Sequence, residues 1–524
     1  MSVMDVEKII EELAVAERVT LLAARDTWST FPISRLNIPS ITTSDGRHGV
    51  HGTSFFNGPP GMLLPSATAM GATFDTDLIY NAGELLAAEA KEKKCHVLLA
   101  PTVCIQRSPL FGRGFEAFAE DPWLSGNIAS AYAKGVQEHG VACSIKHFAA
   151  HDQSLMSPED DVRASERTLR ELHLLPFQLA VKKSNPWSFM TGYNKINGVH
   201  IPEDPWLINQ VLRKDWDWDG LVMSDWFGIC SASQALNAGL DLEMPGPSRW
   251  REDLLHWAIM GANIQKPALD AAVRNLLKLV NKIQPWKEDA PAEKGNTQKK
   301  RDLCRRVASE SIVLLKNEAN VLPLDAKKKQ NGSADLMLHY ASRPLEAIID
   351  MVGSENVKTS LGCQAHIFIP LLSSGISVPD STERGYRVSW YDQDPLANAN
   401  AEPVASVTTV QAQMYFADNL PKASGVVEIG LCVVGRGRLY INGEEKIDLY
   451  TIQPEKTLST PMFDQASMEV MAELEVEQGR QYEIVAYLQN EAAVMGVGDL
   501  NCGGLRIGLC DKVDPTLPLM KLLS

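Results

Sequence analysis

The 524 residues carry 50 Lys and Arg against 65 Asp and Glu, a formal net charge of −15 at pH 7. That balance repels phosphates, so no nucleic-acid partner is expected, and it suits a neutral or cationic small substrate. The length exceeds what one core supports, so roughly two to four domains are expected; no run approaches the ~20 apolar residues of a bilayer span, so no membrane partner is expected either.

In chain order, MSVMDVEKIIEELAVAERVTLLAARD predicts an acidic amphipathic helix. It has neither the basic nor the apolar region of a secretory signal. The nine cysteines are odd in number, scattered and without a C-x-x-C pair. They read as reduced, mostly buried thiols rather than a disulfide framework or a zinc site. Both features lead to the expectation of a cytoplasmic protein, with export by another route left open.

From about residue 41 to 245 one pattern repeats: a short apolar run ends in polar residues, then a helical stretch follows. The runs end at Asp45, at Pro101-Thr102, at Lys146-His147, at Tyr193-Asn194, at Asp225, and across Asp241 and Glu243, with a weaker candidate in LPSATAMGATF. Near-continuous apolar strands are what a parallel sheet covered on both faces requires. DLIYNAGELLAAEAKEK and ERTLRELHLLPFQLAVKK supply helical spacing between them. Strand and helix alternating in this way predict an α/β fold, a (β/α)8-type TIM barrel over 1–285. In GLVMSDWFG, Ser224 or Asp225 could cap a helix beginning near Ile229. Alternatively Asp225 is a catalytic carboxylate, because barrel strand ends carry the chemistry. Lys, His and Tyr at the other strand ends favour the second reading.

Residues 286–302 are charged, with Pro and Gly, and read as a linker. Residues 303–364 begin with a helix and a turn into an extended run. Over 365–510 the pattern becomes short alternating segments, with an Asn-Gly hairpin signal in LYINGEEKI, predicting a C-terminal all-β sandwich module.

The segments TSDG, GRGFEAFAEDPWLSG, IKHF, MTGYNKING, VMSDWFG, GLDLEMPGP and ASESIVLLKNEANVLPL follow one another in the order found in glycoside hydrolase family 3. The chain resembles a fungal or yeast-type β-glucosidase of that family. Its β-rich part resembles the protective-antigen-type module that some members carry inside an α/β second domain. The resemblance implies a retaining double displacement on terminal β-D-glucosyl residues of cellobiose-like and aryl glucosides. It implies no metal and no cofactor, with Asp225 as nucleophile. It places Asp45, Arg113, Lys146, His147 and Tyr193 around the sugar and Trp226 against a sugar face. The partner is then a small-molecule or oligosaccharide β-glucoside; association into homo-oligomers stays open.

The departures also shape the expectation. His51 stands where the family usually has an Arg, with Arg47 earlier, and His151 with Asp152 replaces a common Asn. The family's acid/base Glu, in a D-W-x-S-E-G-like loop, has no counterpart, so 303–364 reads as a partial second domain and 511–524 as a truncated tail. KHFAAHDQSLMSPEDD lacks the second His of the His-Asp dyad that some members use; Glu116, Glu243 and His151 remain as substitutes to consider. The alternative function is therefore a catalytically impaired glucoside-binding protein. A β-xylosidase or N-acetylglucosaminidase is a third reading.

Overall fold

Five of the apolar runs form the strands Thr43–Asp45, Val97–Leu99, Ala142–Phe148, Ser188–Thr191 and Leu221–Met223. In this computed structural model the described residues are 4–46, 48–53, 59–153, 160–283, 295–316, 347, 349–350, 353, 386–390, 402–403, 405–409, 425–434, 436–451, 470–476, 482–489 and 504–511. The chain divides into two units, Met1–Val357 and Lys358–Ser524.

In the first unit the five strands make one sheet, each parallel to the next in chain order. A parallel bridge from Met223 to Leu242 continues the same sense at the far edge. Every strand residue is buried except Asp45, which is half-buried. Helices Thr76–Glu92, Pro122–Gln137, Leu175–Ser184 and Trp206–Asp215 fill the crossovers. Asp75 starts the first of these by accepting from the amides of Asp77 and Leu78, and Asp121 starts the second from that of Leu124. Each thereby satisfies donors that a helix start leaves open. The first two helices touch closely because Gly83 has no Cβ; one there would lie 2.5 Å from the Tyr132 carbonyl oxygen.

Three expectations are corrected. The weak strand candidate in LPSATAMGATF is the helix Ala67–Ala72, capped by Ser66, whose hydroxyl accepts from Ala69. The N-terminal helix is two, Val6–Glu12 and Val15–Leu21, because Leu13 and Ala14 are extended. The helix Gln298–Glu310 starts inside the predicted linker, with Thr297 as its cap; residues 286–294 lie outside the described residues, as do most of 317–364 and all of 512–524.

The second unit is antiparallel throughout its described strands. Gly425–Val434 pairs with Val470–Val476 and Gly504–Asp511, and Arg436–Ile441 pairs with Glu444–Asp448 and Ile484–Gln489. Tyr386–Trp390 and Ala405–Thr409 form a further pair. The Asn-Gly hairpin forms as expected, with Asn442 and Gly443 at φ 49° and 81°. Two left-handed residues in succession give the turn whose twist matches that of the strands. Ile429, Leu431, Val433 and Ile507 from one three-stranded sheet join Leu439, Ile441 and Ile447 from the other in one apolar cluster.

Candidate active site

The carboxyl ends of the five strands bring most of the predicted residues together. Asp45 closes the first strand, Lys146 and His147 lie in the third, Tyr193 follows the fourth, and Asp225 follows the fifth. Lys146 donates to Asp45 Oδ1 at 2.9 Å, with its own side chain almost fully buried. Its backbone is fixed beside the end of the second strand, donating to Pro101 O and accepting from Val103 N.

Asp225 is 7% exposed. Its Oδ1 accepts from the Trp226 amide at 2.7 Å, and its Oδ2 lies 3.4 Å from His147 Nε2. The same His147 nitrogen is 3.0 Å from an Arg113 guanidinium nitrogen, so the imidazole stands between cation and carboxylate. Burial pushes the Asp225 carboxyl above its ordinary range, against the opposing charges of Arg113 and Lys146. Burial and the Asp225 charge push the Tyr193 phenol well up, so it stays a donor. The close approach of Tyr193 requires Gly228, where a Cβ would lie 3.2 Å from the Tyr193 ring.

Asp225 caps no helix. The next helix, Ser233–Ala238, begins eight residues later without a side-chain cap. The chain instead turns sharply, with Phe227 at φ 62°. The Trp226 ring packs on Trp28, with centroids 5.6 Å apart, and belongs to an apolar cluster. Thr191 Oγ1 and both ring nitrogens of His151 are among several buried polar atoms of the described residues that have no hydrogen-bond partner of good geometry.

Sequence reasoning underweighted the support around these residues. Glu116, almost fully buried, grips Arg113 through both oxygens at 2.9 and 3.1 Å and also accepts from Thr102. The three-residue spacing in GRGFE was the available signal. Arg107 clasps the buried Asp152 at 2.5 and 3.2 Å, tying the loop that carries Arg113 to the segment after His147. His151 lies edge-on to His147 and Tyr193 at 5.0 and 5.9 Å between centroids. Burial and the Arg113 charge pull it down to about 4, so it is neutral at pH 7. His51 fixes the turn after Asp45, its amide donating to the Asp45 carbonyl at 3.1 Å; Arg47 lies outside the described residues. No group of three or more His, Cys, Asp or Glu able to hold a metal occurs among the described residues.

The site is thus a buried carboxylate, two cations and an imidazole gathered at the strand ends of a parallel sheet in an α/β domain. The profile described as the glycosyl hydrolase family 3 N terminal domain matches residues 10–279, and the chain belongs to that family. It is 40% identical to probable beta-glucosidase J of Neosartorya fischeri, covering 97% of this chain and 64% of that protein. It is 39% identical to probable beta-glucosidase I of Aspergillus oryzae, covering 97% and 65%. The crystal structure of beta-glucosidase from Kluyveromyces marxianus in complex with glucose matches with a TM-score of 0.84 at 33% identity, over 98% of this chain and 66% of that one. That of beta-glucosidase 3B from Thermotoga neapolitana in complex with glucose gives 0.62 at 32% identity, over 66% and 54%. The chain thus spans just under two thirds of the length of the curated relatives it matches.

Proposed function

We propose that this chain acts on terminal β-D-glucosyl residues by a retaining double displacement with Asp225 as nucleophile. The observation that carries the reading is the state of that carboxylate. It is buried at a strand end, oriented by the Trp226 amide on Oδ1, with His147 Nε2 3.4 Å from Oδ2, the Tyr193 hydroxyl beside it, and the charges of Arg113 and Lys146 acting on it. A carboxylate so placed can attack an anomeric carbon while positive charge nearby keeps it ionised. The C1–Oδ bond forms as the bond from C1 to the aglycone oxygen breaks. Water then attacks C1, the ester bond breaks, and the water's second proton leaves to a base. Asp45 accepts from sugar hydroxyls, and Lys146 and His147 donate to others; charge on either partner strengthens such bonds. The glucose complexes of the two related beta-glucosidases support glucose as the sugar.

The sequential parallel order supports a TIM barrel over 1–285. Two antiparallel sheets sharing one apolar cluster support a β-sandwich module over 365–510. Its role is selection of substrate length or association rather than chemistry.

The proton donor is the open element. Glu116 is committed to Arg113 and Thr102, and Glu243 to a hydroxyl and three backbone amides. Neither is free to protonate a leaving group. A general acid supplies about 10²–10⁴-fold, chiefly where the leaving group is poor. The chain should therefore release dinitrophenolate from dinitrophenyl β-glucoside in a burst, while cellobiose turns over slower by about that factor. Azide should speed breakdown of the glycosyl–Asp225 ester and yield β-glucosyl azide. The absence of both a burst and a label on Asp225 would remove it as nucleophile. Brisk cellobiose turnover with no azide effect would show an acid/base acting from within these residues.

A further inference from the structure

Glu243 is almost fully buried, a costly place for an anion unless its oxygens are satisfied. They are. The Ser248 hydroxyl donates to Oε2, and the amides of Arg249, Trp250 and Arg251 reach the carboxylate at 3.0, 3.1 and 2.8 Å. The Arg251 side chain is buried too, donating to the carbonyls of Ala232 and Leu240. Burial pulls it down to about 10, while Glu243 and Asp241 hold it charged. The carboxylate thus gathers the loop 248–251 around itself.

The residues on either side of Glu243 hold the segment that carries Asp225. Leu242 bridges Met223 in parallel and accepts from the Ser224 amide at 3.0 Å. Met244 donates its amide to Ser224 Oγ at 2.9 Å, accepts from that hydroxyl at 3.1 Å, and accepts from the Phe227 amide at 3.2 Å. Asp225 is therefore bracketed, at Ser224 and Phe227, by the two neighbours of one buried carboxylate.

We infer that Glu243 is a positioning residue: it anchors the 242–244 segment on which the Asp225 turn is hung, and so sets the aim of the carboxylate without touching substrate. The catalytic consequence rests on the reading of Asp225 as nucleophile; the mechanical one does not. A Gln here would turn an NH2 toward N–H donors and leave Arg251 with Asp241 but without Glu243 as a nearby anion, releasing the anchor while keeping the volume.

The test uses the full chain, with Glu243→Gln and the milder Ser248→Ala, which keeps the carboxylate and removes one donor. Hydrogen exchange at the Trp226 and Phe227 amides should rise about tenfold or more in E243Q and less in S248A, as local opening becomes easier. Exchange in 142–148 should stay as in the parent. In the same proteins the burst rate constant on dinitrophenyl β-glucoside should fall about 10²-fold in E243Q, the cost of a misaimed group. Glucose affinity should change less than about threefold, since Asp45 and Lys146 are untouched. Unchanged exchange at Trp226 and Phe227 in both variants would overturn the inference, as would glucose affinity falling in step with the burst. If E243Q does not fold, S248A decides by the same two readouts. A parent with no burst would sink the proposed function, and exchange would still decide the role of Glu243.

Discussion

The two units treat buried charge in opposite ways. In the first, Lys146, His147, His151, Asp152, Glu116 and Asp225 are all buried near the strand ends. In the second, the buried residues that are described are apolar without exception, from Ile429 to Ile507. Desolvating a charge costs several kcal/mol unless partners restore it. A fold that needs only to stand has no reason to accept that cost, and the described second unit does not. The first accepts it in several places, such as Glu89 with Lys300, and gathers many of its buried charges near the strand ends, as active sites do. The Arg107–Asp152 and Arg113–Glu116 clasps then read as the structure that keeps the remaining charges tolerable.

The comparison breaks first at Asp225. Asp225→Asn should lower turnover of dinitrophenyl β-glucoside by about 10⁴-fold, the scale of losing one essential group in a catalytic set. Urea unfolding should show equal or higher stability, because the amide removes a charge whose burial is unfavourable here. Retained turnover would place the nucleophile elsewhere.

Next is Asp45. Asp45→Ala should weaken glucose binding by about 2–4 kcal/mol, given about 1.5–3 kcal/mol for each charged hydrogen bond. Lys146 would also lose its partner in an almost fully buried position. Calorimetry showing unchanged affinity would remove Asp45 from the sugar site.

His151 tests the cost of charge directly. Its folded value near 4 lies below the unfolded 6.5, so the unfolded chain binds the extra proton first as pH falls. Its neutral form is accommodated in full above pH 6.5, and stability falls through the window from 6.5 to 4, by about 3 kcal/mol in all. His151→Asn should flatten that part of the curve. Denaturation at pH 7 and pH 5 showing the same slope in both proteins would contradict it.

The smallest effect is expected in the second unit. Gly443 sits at φ 81° with nothing within 4 Å of an added Cβ. Gly443→Ala should cost about 1 kcal/mol from the backbone alone and leave the burst on dinitrophenyl β-glucoside unaltered. A change in the burst would mean that the second unit reaches into the chemistry.

Much of this was legible in the chain because its signals are local. An apolar run ending in a polar residue marks a buried strand and its end, and five such runs became strands. The Asn-Gly pair marks a hairpin because only particular residues accept two left-handed positions in a row. Asp45, Lys146, His147 and Tyr193 could be placed at strand ends for the same reason. Other features depend on which surfaces meet. That Trp226 packs on Trp28 follows from how two distant segments meet. That Glu116 grips Arg113, and Arg107 grips Asp152, depends on loops folding back over the sheet. That Glu243 anchors a loop follows from four donors converging on one point. Hydrogen bonding and burial are properties of places rather than of residue types, so a carboxylate's choice between attacking, clasping and anchoring was made only when the chain closed around it.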